Sequence, residues 1–127
     1  RSMRVDLAPE GGVTRPGDPE FFGSQFFFHL GSTNCDGDPL SSETVTCARI
    51  NQPLIKLNNF KVGLSSVKFD LRALLAGLDL NVDQNNTPGC MSSELDTECG
   101  LFFENLALEL NSGAAASEAV QSVFTLN

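Results

Sequence analysis

His29 is the only histidine in the 127-residue sequence, and it lies in an aromatic run over residues 25–30. Imidazole serves as an acid, a base or a metal ligand, so a Ser-His or Cys-His dyad would have to be built around this residue. The sequence has no nucleophile elbow, phosphate-binding glycine loop or H-E-x-x-H motif. We therefore expect a protein that is not an enzyme.

His29 is then either a half-buried strand residue or a metal ligand. One histidine cannot hold copper by itself, and Met91 adds a thioether of the kind that copper(I) accepts, although its neighbours indicate packing beside a cysteine pair.

A second possible metal site is a polar segment with oxygen-bearing side chains at alternate positions. These residues are Asp79, Asn81, Asp83 and Asn85. Alternate oxygen ligands suit a hard cation, and calcium is the natural candidate. The segment is not an EF-hand, because Gln84 stands at the glycine position and Cys90 at that of the bidentate glutamate. The sequence predicts either a calcium loop of another kind or an Asx-rich turn without metal.

The four cysteines form two local pairs, Cys35 with Cys47 and Cys90 with Cys99, which enclose 11 and 8 residues. Neither pair has the C-x-x-C spacing of a zinc ribbon or a thioredoxin-like site, so disulfides are the better interpretation. Of the three possible connectivities, the local one closes two polar loops, and each closure contributes about 3 kcal/mol on the chain-entropy model. Lasting disulfides require an oxidising compartment, which favours an exported protein. The competing interpretation is four buried cytosolic thiols.

The elements that would position these residues are mostly short strands. Apolar and polar residues alternate over residues 3–7, and residues 25–30 are typical of a central strand with Phe26, Phe28 and Leu30 on one side. Residues 11–19 and 79–89 are predicted as loops. Further strands are predicted over 54–57, 62–71, 106–110 and 120–126, with Val67, Phe69 and Leu71 facing inward, and 114–119 as a loop or helical turn. Asp70 is expected to cap a helix over 71–76 that ends at Gly77, and 98–105 is expected to be helical. The sum is a single, mainly β domain, an antiparallel sandwich or open barrel with short helices.

Composition excludes two classes of partner. Eight Lys and Arg against sixteen Asp and Glu give a net charge of -8, and no basic patch could neutralise phosphates, so nucleic acid is not expected. No apolar run approaches the roughly 20 residues of a membrane-spanning helix. The sequence starts at Arg1 with a strand pattern almost at once, so we expect a processed or partial chain.

Two blocks of sequence carry a resemblance to a known family. The first runs from Phe28 to Cys35 (Phe-His-Leu-Gly-Ser-Thr-Asn-Cys) and continues with Gly37-Asp38-Pro39 and Cys47. The second contains Asp70-Leu71, Leu74-Leu75, Asp79-Leu80-Asn81, Pro88-Gly89-Cys90-Met91-Ser92 and Cys99, and Arg4 to Leu7 matches the strand before the histidine block. Together they resemble the C-terminal half of the MbnP-like family, the bacterial "metallo-mystery pair" proteins with a four-cysteine motif.

The resemblance implies an exported protein, in the periplasm or at the outer cell surface, that binds or sequesters copper and acts with a dihaem MauG-like partner. Some relatives bind copper through histidines and a kynurenine that the partner makes from tryptophan. This sequence has no Trp and one His, so such a kynurenine would lie outside it. His29 is then the expected copper ligand. The alternative is a structural or interaction subunit of a larger surface or membrane-associated assembly, without a copper site.

Overall fold

The computed structural model describes residues 3–116 and 120–127. Their regular elements are mainly short strands. The strands are β1 (Met3–Leu7), β2 (Val13–Arg15), β3 (Asp18–Gly23), β4 (Phe26–Leu30), β5 (Thr33–Asp36), β6 (Thr46–Arg49), β7 (Val67–Phe69), β8 (Gly89–Cys90) and β9 (Phe124–Leu126). The helices are α1 (Leu71–Leu74) and α2 (Cys99–Asn105), with a 3-10 turn at Pro39–Ser41. The predicted class, mainly β with short helices, is confirmed, and the described strands form small sheets rather than a closed barrel.

The main sheet has the order β1-β4-β8, so β4 is central as predicted. β1 pairs with β4 in the antiparallel direction, whereas the two residues of β8 lie parallel to Phe27 and Phe28. Side chains alternate along β4, with Phe26, Phe28 and Leu30 buried and the two residues between them half-buried. The face opposite to the buried one is therefore the face that carries His29.

The hydrophobic core lies between the buried side of β4 and α2. Phe28 stacks on Phe102 with ring centroids 4.3 Å apart, and Phe26 approaches the same ring at 6.3 Å. Full burial of a side chain of this size contributes about 1.5–3 kcal/mol. Asp70 caps α1 by accepting a hydrogen bond from the Ala73 N–H at 3.0 Å, and Gly77 is left-handed at φ 80°, both as predicted. The predicted span of 71–76 is too long, because the helix ends at Leu74 and residues 75–77 form a turn.

Both predicted disulfides form. Cys35–Cys47 joins β5 to β6 across an exposed hairpin, with 3.9 Å between the Cα atoms. Cys90–Cys99 joins β8 to α2, and both of its cysteines are fully buried in the core. The second disulfide thus fixes the helix that packs on the sheet.

The predicted boundaries are wrong in several places. A β2–β3 hairpin occupies most of the predicted loop at 11–19, because Pro16-Gly17 forms a turn between Arg15 and Asp18. Residues 54–57 form no strand, and of 62–71 only β7 pairs, with Val67 and Phe69 exposed rather than inward. Leu71 is also exposed and begins α1.

Toward the C-terminus the predicted strands are also too long. Residues 106–110 make a single bridge, Leu108 with Ala115, because α2 ends in a turn at 106–107 and Ala107 has a positive φ. The strand predicted over 120–126 is confined to β9. Residues 117–119, the end of the run predicted as a loop or helical turn, lie outside the described residues.

Across residues 3–116 and 120–127, none of the helices has the length and apolar character needed to cross a membrane.

Candidate metal site around His29

His29 lies on β4 opposite Arg4 of β1, on the sheet face away from the core. Its side chain is 17% exposed, and its ring packs beside that of Phe27 at 5.6 Å. The alternation that buries Phe28 and Leu30 turns the imidazole to the other side of the sheet. The central strand therefore holds the imidazole on a rigid element, partly shielded from water.

A carboxylate and a guanidinium complete this part of the site. The Nε2 atom of His29 lies 3.2 Å from Oδ1 of Asp6, and Asp6 accepts two hydrogen bonds from Nε of Arg4 at 2.9 and 2.8 Å. The hydrogen bonds from Arg4, opposed by a smaller effect of burial, lower the pKa of Asp6 below its ordinary value. Asp6 is thus ionised at neutral pH and fixes the orientation of the His29 ring.

The second sequence block is held against the same strand. The Ser92 hydroxyl donates to the carbonyl of His29 at 2.6 Å and accepts from the Gly31 N–H at 3.0 Å. Gly89 of β8 has a φ of 99°, and a Cβ atom there would lie 1.9 Å from the Phe27 carbonyl oxygen. Only glycine allows this approach. The Gly-Cys-Met-Ser segment therefore lies directly beside the histidine.

An open pocket of about 330 Å³ lies beside His29 and is also lined by Met91, Ser92 and residues 30–33. His29 and Met91, the two residues with donors for a soft metal, thus border one space. Among the described residues, no group of three or more His, Cys, Asp and Glu side chains is arranged to hold a metal ion. The pocket therefore places an imidazole and a thioether beside one space.

Three of the calcium candidates, Asp79, Asn81 and Asn85, take part in hydrogen bonds of the loop. Asn81 donates through Nδ2 to the carbonyls of Glu10 and Gly12, both at 2.7 Å, and its N–H donates to Asp79 Oδ1 at 3.0 Å. Asn85 accepts from Asn86 through its side-chain oxygen at 2.8 Å. The alternate positions are thus largely engaged in fixing the loop to the β2 region.

Asp83 is the calcium candidate most deeply involved in the fold. It is fully buried, and its Oδ2 forms an ion pair with Arg15 Nη2 at 2.6 Å, while its Oδ1 has no hydrogen-bond partner. Burial, together with the nearby charge of Glu98, raises its pKa despite Arg15. A calcium ion at this residue would have to compete with the guanidinium. Calcium binding stays a prediction.

A pair of interacting carboxyl groups flanks the second disulfide. Burial and the neighbouring Glu98 raise the pKa of Asp96 to about 6, although the Met91 N–H donates to it at 2.9 Å. Burial acts to raise the pKa of Glu98 as well, but hydrogen bonds from the Gln84 N–H and the Asp96 side chain outweigh it and lower that pKa. Of the two carboxyl groups, Asp96 is therefore the one that takes up a proton first as pH falls.

The sequence interpretation missed a buried guanidinium that joins the two sequence blocks. Arg49 is 4% exposed, and it donates to the Ser92 carbonyl at 2.7 Å and to the Leu110 carbonyl, and pairs with Glu94 at 2.7 Å. Asn51 beside it donates to the Gly31 carbonyl at 2.8 Å. A single Arg in a short alternating segment gives no sign of this role. The contribution of Arg4 and Asp6 to the surroundings of His29 could have been predicted from the sequence. The alternation of β1 places both residues on the face opposite Met3 and Val5.

The fold and this site define a disulfide-bonded, mainly β domain whose central strand carries a carboxylate-oriented histidine beside a pocket. Among solved structures, the chain is similar to MbnP from Methylosinus trichosporium, with a TM-score of 0.85 and 27% sequence identity. The similarity covers 98% of this chain and 45% of that chain, so this chain spans less than half of the length of MbnP. No protein-family model matches the sequence, and no curated protein matches it. The predicted MbnP-like relationship is therefore confirmed by structure.

Proposed function

We propose that this chain is part of an exported bacterial copper-binding protein of the MbnP-like type, in which His29 supplies one copper ligand. The observation that carries the proposal is the 3.2 Å contact between His29 Nε2 and the ionised Asp6. Metal-ligating histidines usually donate their second ring N–H to a carboxylate, which fixes the ring and makes the ligating nitrogen more basic. In this arrangement the nitrogen left for copper is Nδ1.

The side chains around the pocket fit copper in type but not in number. Imidazole suits copper, and the thioether of Met91 is a soft donor suited to copper(I). The sequence has no second histidine and no tryptophan, so the remaining ligands, including any kynurenine of the kind found in relatives, would come from outside these 127 residues. The chain's own contribution is to hold the imidazole and to limit access of water to it.

In this proposal the protein binds or sequesters copper, acts with a dihaem MauG-like partner and is not an enzyme. Two disulfides support export to an oxidising compartment, the periplasm or the outer cell surface. The MauG-like partner rests on the resemblance to MbnP-like proteins.

The test is the copper content of the protein at its natural length, by elemental mass spectrometry and electron paramagnetic resonance. We expect near-stoichiometric copper with nitrogen hyperfine coupling, and we expect His29→Gln to lower the copper content and to remove the coupling of one nitrogen. Asp6→Asn should weaken copper binding about 10–100-fold, since it removes the carboxylate that orients the ring. Glu104→Gln, an exposed carboxylate change on α2, is the matched control and should leave copper binding unchanged. Copper bound equally by wild type and His29→Gln would refute the role of His29.

A second candidate function is a structural or interaction subunit of a larger surface or membrane-associated assembly that has the fold without the copper site. The single histidine and the absence of Trp favour it. Calcium, if bound by the loop of Asp79, Asn81, Asp83 and Asn85, would then serve only to order that loop. The metal analysis distinguishes the candidates, because this one predicts no copper.

The calcium proposal is tested through Asp79, which is exposed and outside the Arg15 ion pair. If the loop binds calcium, Asp79→Asn should lower the melting temperature in calcium but not in chelator. An equal change in both conditions would exclude calcium binding at this loop.

A further inference from the structure

The β7–β9 ribbon exposes a continuous apolar surface, which we call the ribbon face and define as Leu54, Leu57, Val67, Phe69, Phe124 and Leu126. Val67 pairs with Leu126 across the ribbon, and the rings of Phe69 and Phe124 lie 5.3 Å apart. Leu54, Leu57, Phe124 and Leu126 line one open cavity of about 480 Å³. All three residues of β7 are exposed. Soluble proteins rarely leave a contiguous apolar surface of this kind uncovered unless it binds something.

The outer edges of the ribbon also lack a neighbouring strand among the described residues. Within the described part of the chain, β7 and β9 pair only with each other, so each strand has a free edge. An isolated two-stranded ribbon is marginally stable in water. The pattern over 62–71 predicts a strand with one buried side, yet Val67 and Phe69 are 50% and 41% exposed. The sequence of β7 is therefore typical of a strand with one buried side, but the described residues do not bury that side.

The charge around the ribbon face indicates what would cover it. Lys56 lines the same cavity as Leu54 and Leu57, and no Asp or Glu occurs in the sequence between Thr44 and Phe69. Lys68 is already paired with Asp70 at 2.9 Å. The rest of the chain is strongly acidic, since the total net charge is -8. The complementary surface is thus apolar with an acidic rim.

We propose that the ribbon face is covered by a further segment of the MbnP-like protein, equivalent to the part of MbnP that this chain does not span. MbnP supports this occupant because 98% of this chain matches only 45% of it. The contacting strand adds to the free edge of the ribbon, and an acidic residue beside it meets Lys56. This inference does not depend on copper binding, because it concerns a different surface.

The experiment uses the protein at its natural length, with intact mass and light scattering on the same sample. Val67→Glu places a charge on the ribbon face, and Val45→Glu is the matched control, since Val45 is 40% exposed in the β5–β6 loop. We expect Val67→Glu to lower the melting temperature by about 5 °C or more, because it buries a charge beneath the covering segment. Val45→Glu should shift it by about 1 °C or less. Val67→Thr, which keeps the shape of valine, should cause a smaller loss and covers the case in which Val67→Glu does not fold.

Three kinds of result would overturn the proposal. One is evidence against a covering segment, which is either a natural protein that is a monomer of only these 127 residues or equal melting temperatures for the two glutamate variants. Another is a concentration-dependent dimer that Val67→Glu dissociates, which would make a second copy the occupant. The third is flotation of the protein with phosphatidylglycerol vesicles that Val67→Glu abolishes, which would make the occupant an anionic lipid surface.

Discussion

The two disulfides have similar sequence surroundings and very different structural positions. Each joins a local pair of cysteines across a polar segment, with sequence separations of 12 and 9. Cys35–Cys47 lies on an exposed hairpin, whereas Cys90–Cys99 lies inside the core beside the strand that carries His29. Local spacing therefore predicts that a disulfide forms, but not whether it supports a surface loop or the centre of the fold.

The sharpest test of this difference is removal of each disulfide by a pair of Cys→Ala changes. Loop closure is worth about 3 kcal/mol in both cases because the loops are of similar size. Loss of Cys90–Cys99 should cost about 2 kcal/mol more, since it also leaves a cavity in the core. Urea unfolding measures both free energies of unfolding. Equal losses would contradict the distinction between a core disulfide and a surface disulfide.

Two glycines near the cysteines give the next largest contrast. Gly89 and Gly37 both have φ near 100°, and a Cβ would meet the Phe27 carbonyl oxygen at 1.9 Å or the Thr44 carbonyl oxygen at 2.6 Å. Gly89→Ala should cost about 3 kcal/mol or more, because the sheet cannot move aside. Gly37→Ala should cost about 1–2 kcal/mol, since an exposed loop can shift. Thermal and urea unfolding check the order, and a larger loss for Gly37→Ala would reverse the comparison.

Arg49 links the two disulfide regions, because it follows Cys47 on β6 and reaches the Ser92 carbonyl. Arg49→Met should lower the free energy of unfolding by about 2–3 kcal/mol, since it removes the hydrogen bonds from the guanidinium to the Ser92 and Leu110 carbonyl groups. Arg72→Met, on the exposed start of α1, is the control and should change it by less than about 0.5 kcal/mol. Chemical denaturation measures both, and similar losses would mean that Arg49 does not join the regions.

The smallest expected effect is a dependence on pH near the core disulfide. Asp96 has a pKa of about 6 in the folded protein and 3.8 as its ordinary value, so the folded state binds the proton more tightly. The free energy of unfolding should therefore fall as pH rises from about 4 to 6. The lowered pKa of Glu98 acts in the opposite direction, and that loss sets in below its ordinary value of 4.5.

Melting temperatures of wild type and Asp96→Asn between pH 5 and 7 test this effect. Wild type should be more stable at pH 5 than at pH 7, and Asp96→Asn should lose part of that difference. The same slope in both proteins would remove Asp96 as its source.

The elements that sequence predicts correctly are those whose information is local. The alternation of β4 and the Asp70 cap of α1 depend on neighbouring residues alone. The partner of His29 depends instead on the register between β1 and β4, which places Arg4 opposite His29 and Asp6 opposite Phe27. β8 has two residues, too few for any periodicity, and its parallel pairing with β4 was not predicted. The alternation over 62–71 predicts a strand with one buried side, but among the described residues only β7 forms there, and its apolar side chains are exposed.

The two hydrogen bonds that join Ser92 to His29 and Gly31 have a consequence for the order of folding. Its hydrogen bond to Gly31 spans 61 residues, whereas the Cys35–Cys47 hairpin closes within 12. Closing the longer loop costs more chain entropy, and contacts between distant residues form slowly. During synthesis the hairpin can close while the segment that completes the histidine environment has still to be made. The surroundings of His29 are thus completed only after residue 92 has been made, well after the Cys35–Cys47 hairpin can form.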